Sequence, residues 1–150
     1  MHKSGHMAET QLTIISTGVG GDCTSFVSQC IYAGAGIMNY DKIKGWYYIN
    51  GNNKSPSWSG VDFLYQFLIN NKGVGPYGKE VGMEQVQEGD IAQLLFQGNT
   101  FGHSLFIVSK KASRTENILV ATHTFDSFGR KISSYSYQKI RFIHIEKIRK

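Results

Sequence analysis

Residues 20–30 read GGDCTSFVSQC, two glycines running into an acid, a cysteine and then apolar residues at helical intervals. Asp22, Thr24 and Ser25 are residue types that open helices, and Phe26, Val27, Cys30, Ile31 and Ala33 continue the pattern along one apolar face. The spacing predicts a helix whose first turn carries Cys23. The first N–H groups of a helix have no internal partner and its macrodipole is positive there, so this position favours a thiolate over a thiol. Gly20 and Gly21 let the backbone turn sharply and let a substrate come close. A cysteine so placed is a candidate nucleophile. Cys30 lies about two turns and roughly 10 Å further along the same helix, too far to pair with Cys23, and reads as core.

Around this stretch the composition is that of a folded globule. The chain has 150 residues, 41% hydrophobic and 18% charged, which is enough for one domain with a real core. Met1–Met7, MHKSGHM, reads as a remnant of cloning, leaving residues 8–150 as a single domain. Two cysteines that cannot pair within a helix exclude a disulfide framework. The net charge of +5 admits polyanionic surroundings, but the basic residues are scattered. Lys110 and Lys111 fall in one expected turn, Arg130 and Lys131 in another, and Arg141, Lys147, Arg149 and Lys150 along a terminal strand. No nucleic-acid motif accompanies them, so they read as a solvated surface and no nucleic-acid partner is expected. No apolar run approaches the roughly 18–20 residues that a membrane span needs.

Taken in order, the chain offers helices first and strands afterwards. The first helix should end near Gly34 and Gly36. An aromatic excursion through Tyr40, Trp46, Tyr47 and Tyr48 follows, either walling a cleft or packing over the core. Ser57–Gly60 then opens a second helix carrying Val61, Phe63, Leu64, Phe67 and Leu68, which stops at Asn70 and Asn71. Residues 73–82 read as turn. Strands are expected at Ile91–Phe96, His103–Ser109, Ile118–His123 and Ile140–Ile145. This segregation predicts an α+β fold with N-terminal helices and a C-terminal antiparallel sheet.

The candidate for a second catalytic group is His103, at the start of the run HSLFIVS. An antiparallel hairpin centred near Ser113 sets His103 opposite His123, with Cβ atoms about 4.5–5.5 Å apart on one face. His103 would take the Cys23 proton and return one to a leaving amine, and a third polar group would hold its ring. His123 or Asp126, in HTFD, could fill that third role. The backbone N–H of Cys23 is the natural oxyanion donor, with Asp22 beside it as helix cap. Cys23, His103, His123 and Asp126 lack the short paired intervals of a structural zinc site, so neither a metal nor another cofactor is expected. His144, in FIHI, has no comparable partner and reads as structural.

These residues resemble the bacterial papain-like cell-wall hydrolases of the NlpC type, in which a D-C-S-G-F-V-like helix start carries the nucleophile. Asp22, Cys23, Thr24, Ser25, Phe26 and Val27 match it. GGDCTSFVSQ is more similar still to the G-G-D-C-T-N-F-V-S-Q pattern of the “putative amidase domain” family within that group, with Ser25 standing where that pattern has Asn. The later blocks YAGAGIMN, WYY, SPSWSGV, EGDI, GHS and ATHTFD look like landmarks of the same family. The resemblance implies a papain-like fold and a cysteine amidase or peptidase acting through an acyl-enzyme on Cys23. It also implies a peptide or peptidoglycan stem-peptide substrate and a monomer that is secreted or cell-wall associated. Amide or acyl transfer, deamidation of a target protein and a non-catalytic wall-binding module remain alternatives within the same scaffold.

Overall fold

The computed structural model describes residues 22–122 and 129–150. Helix α1 spans Asp22–Ala35 and ends where Gly36 takes a φ of 69°, the left-handed backbone that glycine adopts without steric penalty. A small hairpin of β1 (Tyr48–Asn50) and β2 (Asn53–Lys54) follows, then a single turn of helix, α2 (Pro56–Ser59), and helix α3 (Val61–Asn70). From there the regular structure among the described residues is strands and short 3-10 turns: β3 (Gly75–Val81), β4 (Ile91–Leu95), β5 (His103–Lys110), β6 (Ile118–Ala121), β7 (Arg130–Lys131) and β8 (Lys139–Arg149). They form one antiparallel sheet in the order β3-β8-β4-β5-β6-β7. The described chain is thus α+β, with its helices ahead of its sheet.

One face of that sheet carries Ile91, Phe106, Val108, Ala121, Ile143 and Ile145 against the helices, which contribute Phe26, Val27, Leu64, Phe67 and Leu68. Trp46 and Trp58 complete this layer with ring centroids 4.9 Å apart, so both belong to the core rather than to a cleft wall. Ser28 on α1 ties them in: Trp46 Nε1 donates to Ser28 Oγ at 3.0 Å, and that hydroxyl donates to the Trp58 carbonyl at 2.8 Å. Truncating either ring to Ala would cost about 3–5 kcal/mol. On the other face Ala92, Leu94, Leu105, Ile107, Val120 and Phe142 lie beneath Val86 and Ile132.

Three expectations are corrected. Residues 75–81 form a strand rather than a turn: Gly75, Pro76 and Gly78 suggest irregular chain, but β3 is an edge strand paired along β8 from Arg149 to Phe142. Edges tolerate proline, and Gly78 sits at a bulge where the His144 carbonyl leaves no room for a Cβ. The β5–β6 register pairs Phe106 with Ala121 and Ile107 with Val120, one residue away from a hairpin centred on Ser113. A one-residue slip exchanges the faces, so the β6-side residue that shares a face with His103 is Thr122. The basic residues, finally, are not uniformly solvated. Lys110 closes β5 and its Nζ donates to the carbonyls of Met83, Glu84 and Val86 at 2.8, 3.1 and 2.8 Å. Arg141 is only 11% exposed. Among the described residues no helix is long and apolar enough to cross a membrane.

Candidate active site

Helix α1 lies against β5, and the polar contact between them is a pair of buried hydroxyls. Thr24 Oγ1 and Ser104 Oγ are 2.9 Å apart, and neither residue is exposed. Each is the chain neighbour of a candidate: Cys23 precedes Thr24 at the helix start, and His103 precedes Ser104 at the strand start. Consecutive Cα atoms are about 3.8 Å apart, so this hydrogen bond holds both candidate positions at one end of the helix–strand contact. Cys23 is partly exposed, as a nucleophile must be, while Cys30 is buried. Burial pushes the Cys30 thiol well above the usual range, so it stays protonated.

The His103 ring is held from several sides. Its Nε2 lies 3.4 Å from Thr122 Oγ1, and Phe96 and Tyr135 flank it with ring centroids at 5.9 and 5.8 Å. The Arg130 guanidinium covers the Tyr135 ring, 3.8 Å from its centroid. Burial raises the Tyr135 phenol above its ordinary pKa, Arg130 opposes this, and charge on Cys23 adds to the rise. That last effect puts the Cys23 sulfur within electrostatic reach of the ring that touches His103. His103, Tyr135 and Arg130 therefore share one neighbourhood. His123, Asp126 and the side chain of Asp22 lie outside the described residues.

Beneath the hydroxyl pair a polar row crosses the sheet. Ser104 is paired with Gln93 on β4, and Gln93 with Arg141 on β8. Gln93 is fully buried, yet every polar atom of its amide is used: Nε2 donates to the Val61 carbonyl and to Ser104 Oγ, and Oε1 accepts from Arg141 Nε. Sequence reasoning passes over Gln93, although one amide inside the apolar strand IAQLL is itself a signal of a buried polar role. Tyr135, within SSYSY, offers no comparable signal.

His144 stands apart from this neighbourhood, but the expectation that it lacks a partner is corrected: it faces a buried carboxylate. Its Nδ1 lies 2.8 Å from Asp90 Oδ2, and Asp90 also accepts the backbone N–H groups of Gln87 and Ile145, tying the turn at Gly89 to β8. No group of three or more His, Cys, Asp or Glu among the described residues could hold a metal ion.

The sequence profile of the family described as “Putative amidase domain” matches residues 10–146. The chain belongs to that family. Membership points to amide hydrolysis, and the matched span takes in every residue of the neighbourhood just described. The chain is also similar to “Uncharacterized protein YhbB” of Bacillus subtilis (strain 168), 28% identical over 120 residues, or 78% of this chain and 37% of the relative. It thus spans little more than a third of that protein's length. No solved structure matches the chain. Within the putative amidase family member described here, the candidate residues stand on the start of α1, the start of β5 and the segment joining β7 to β8.

Proposed function

We propose that the protein is a cysteine amidase or peptidase of the papain-like, NlpC-type group, cleaving an amide bond through an acyl-enzyme on Cys23. The observation that supports this reading is the Thr24–Ser104 hydrogen bond, made by the residues that directly follow Cys23 and His103. The Cys23 sulfur attacks the amide carbonyl carbon, and the carbonyl electron pair moves to oxygen, where the Cys23 backbone N–H donates to it. His103 takes the thiol proton and delivers it to the leaving amine, and water then releases the acid. Thr122 steadies Nε2 of His103, with His123 or Asp126 as the further orienting group.

The substrate we assign is the stem peptide of bacterial peptidoglycan, reached by a protein that is secreted or wall associated. The assignment is supported by the sequence resemblance and by family membership. Incubating the protein with purified peptidoglycan and with its isolated stem peptides, and following new amino groups and fragment masses, tests it. Release of amine by the wild type and none by Cys23→Ala is expected, a loss of at least about 10³-fold. Hydrolysis that survives in Cys23→Ala would sink the cysteine mechanism. Turnover of other amides with none of the stem peptides would sink the substrate.

A further inference from the structure

The polar row beneath the candidate site can be ordered in one direction, and its end falls on the nucleophile. Arg141 Nε can only donate, and it lies 2.8 Å from Gln93 Oε1. The Val61 carbonyl can only accept, and it lies 2.9 Å from Gln93 Nε2. Both ends of the amide are therefore assigned, and Nε2 turns its second hydrogen to Ser104 Oγ at 3.2 Å. Ser104 is fully buried and its other partner among the described residues is Thr24 Oγ1 at 2.9 Å, so its own hydrogen is satisfied by donation to Thr24. Thr24, having accepted that bond, has its hydrogen left, among the described residues, for the atom 3.8 Å away, the sulfur of Cys23.

We infer that Gln93 is a positioning residue for the Cys23 sulfur, ordering the Ser104 and Thr24 hydroxyls so that the Thr24 O–H points at Cys23 Sγ. This rests on the reading of Cys23 as the nucleophile. A hydrogen bond donated to sulfur favours thiolate over thiol, and successive bonds in such a chain polarise one another in the same sense. The far end is anchored by a fixed cation. Tyr65 and Phe101 hold the Arg141 guanidinium between their rings at 3.7 and 4.1 Å, and Asp62 pairs with it at 3.0 Å. The donor that orients Gln93 therefore cannot swing away.

The test is the pH profile of Cys23 alkylation by iodoacetamide in the intact protein, read by peptide mass mapping alongside thermal unfolding. Thr24→Val keeps the side-chain shape and removes the donor, whereas Thr24→Ser keeps the donor. Thr24→Val is expected to raise the midpoint of the profile by roughly half to one pH unit, hence about three- to tenfold slower labelling on the limb below the midpoint. Thr24→Ser restores the wild-type profile. Gln93→Met, similar in length but unable to donate, gives the same shift, and the double variant Gln93→Met/Thr24→Val goes no further than Thr24→Val alone. A midpoint unmoved in Thr24→Val, or two single shifts that add in the double variant, overturns the inference whatever the unfolding temperatures show. Failure of the nucleophile reading is separate, because hydrolysis would then persist in Cys23→Ala while the labelling shifts stood.

Discussion

The Tyr135 hydroxyl is buried beside His103 and has no hydrogen-bond partner among the described residues. The Arg130 guanidinium lies over its ring, 3.8 Å from the centroid, and pulls the phenol's pKa down against the rise that burial causes. A buried, bonded tyrosine hydroxyl is worth about 1 kcal/mol, whereas an orphaned one carries its desolvation cost uncompensated. Tyr135→Phe should therefore leave stability unchanged or raise it by up to about 1 kcal/mol, measured by urea unfolding. A loss of about 1 kcal/mol or more would mean that the hydroxyl has an acceptor in solution. Individual residues were unevenly legible. Cys23 and His103 stand out because chemically rare side chains occupy the starts of patterned elements. Thr24, Ser104 and Gln93 are ordinary residues whose importance lies in meeting across long sequence separations, which periodicity cannot reveal.

Among elements, α1, α3 and four of the strands follow from apolar spacing and end signals, and β3 does not. Its glycines and proline carry the composition of a turn, and only the pairing with β8 makes it a strand. Close backbone approach, equally silent in sequence, governs the loop that delivers Trp46 to the core. There Asn39 pairs with Trp46, and Gly45 N–H donates to the Asp41 carbonyl at 2.9 Å. A Cβ at Gly45 would collide with the backbone carbonyl oxygens of Asn39 and Asp41, atoms that cannot rotate aside. Gly45→Ala is expected to destabilise the fold by about 2–3 kcal/mol, mostly through displaced packing of Trp46. Gly34, exposed in the last turn of α1 with nothing near its missing Cβ, is the control. Gly34→Ala should stabilise by about 0.5 kcal/mol through helix propensity. Equal effects of the two substitutions in urea unfolding would show that the loop gives way, and that its shape is not set by Gly45.

For the whole molecule, the groups among the described residues whose protons the fold holds most tightly all act on the alkaline side. Burial raises the Cys30 thiol above its ordinary value of 9.0. Tyr65 is raised above 10.0, first by donating its hydroxyl to Glu80 at 2.6 Å and then by burial, and Tyr135 above the same value by burial. In each case the unfolded chain releases its proton at a lower pH than the folded one. The folded state then binds more protons, and stability must fall as pH rises. The stabilisation is therefore complete at neutral pH, begins to be lost near the unfolded thiol value of 9.0, and declines more steeply above 10.0 as the phenols join. Urea midpoints measured across this range should be flat below about pH 8 and fall above pH 9. Removing the thiol separates the contributions. Cys30→Ala lowers stability at every pH by the lost packing, but its decline should begin about one pH unit later, because only the phenols remain to drive it. A decline that starts at the same pH in Cys30→Ala and in the wild type would show that the buried thiol of α1 is not the first group through which alkali unfolds this protein.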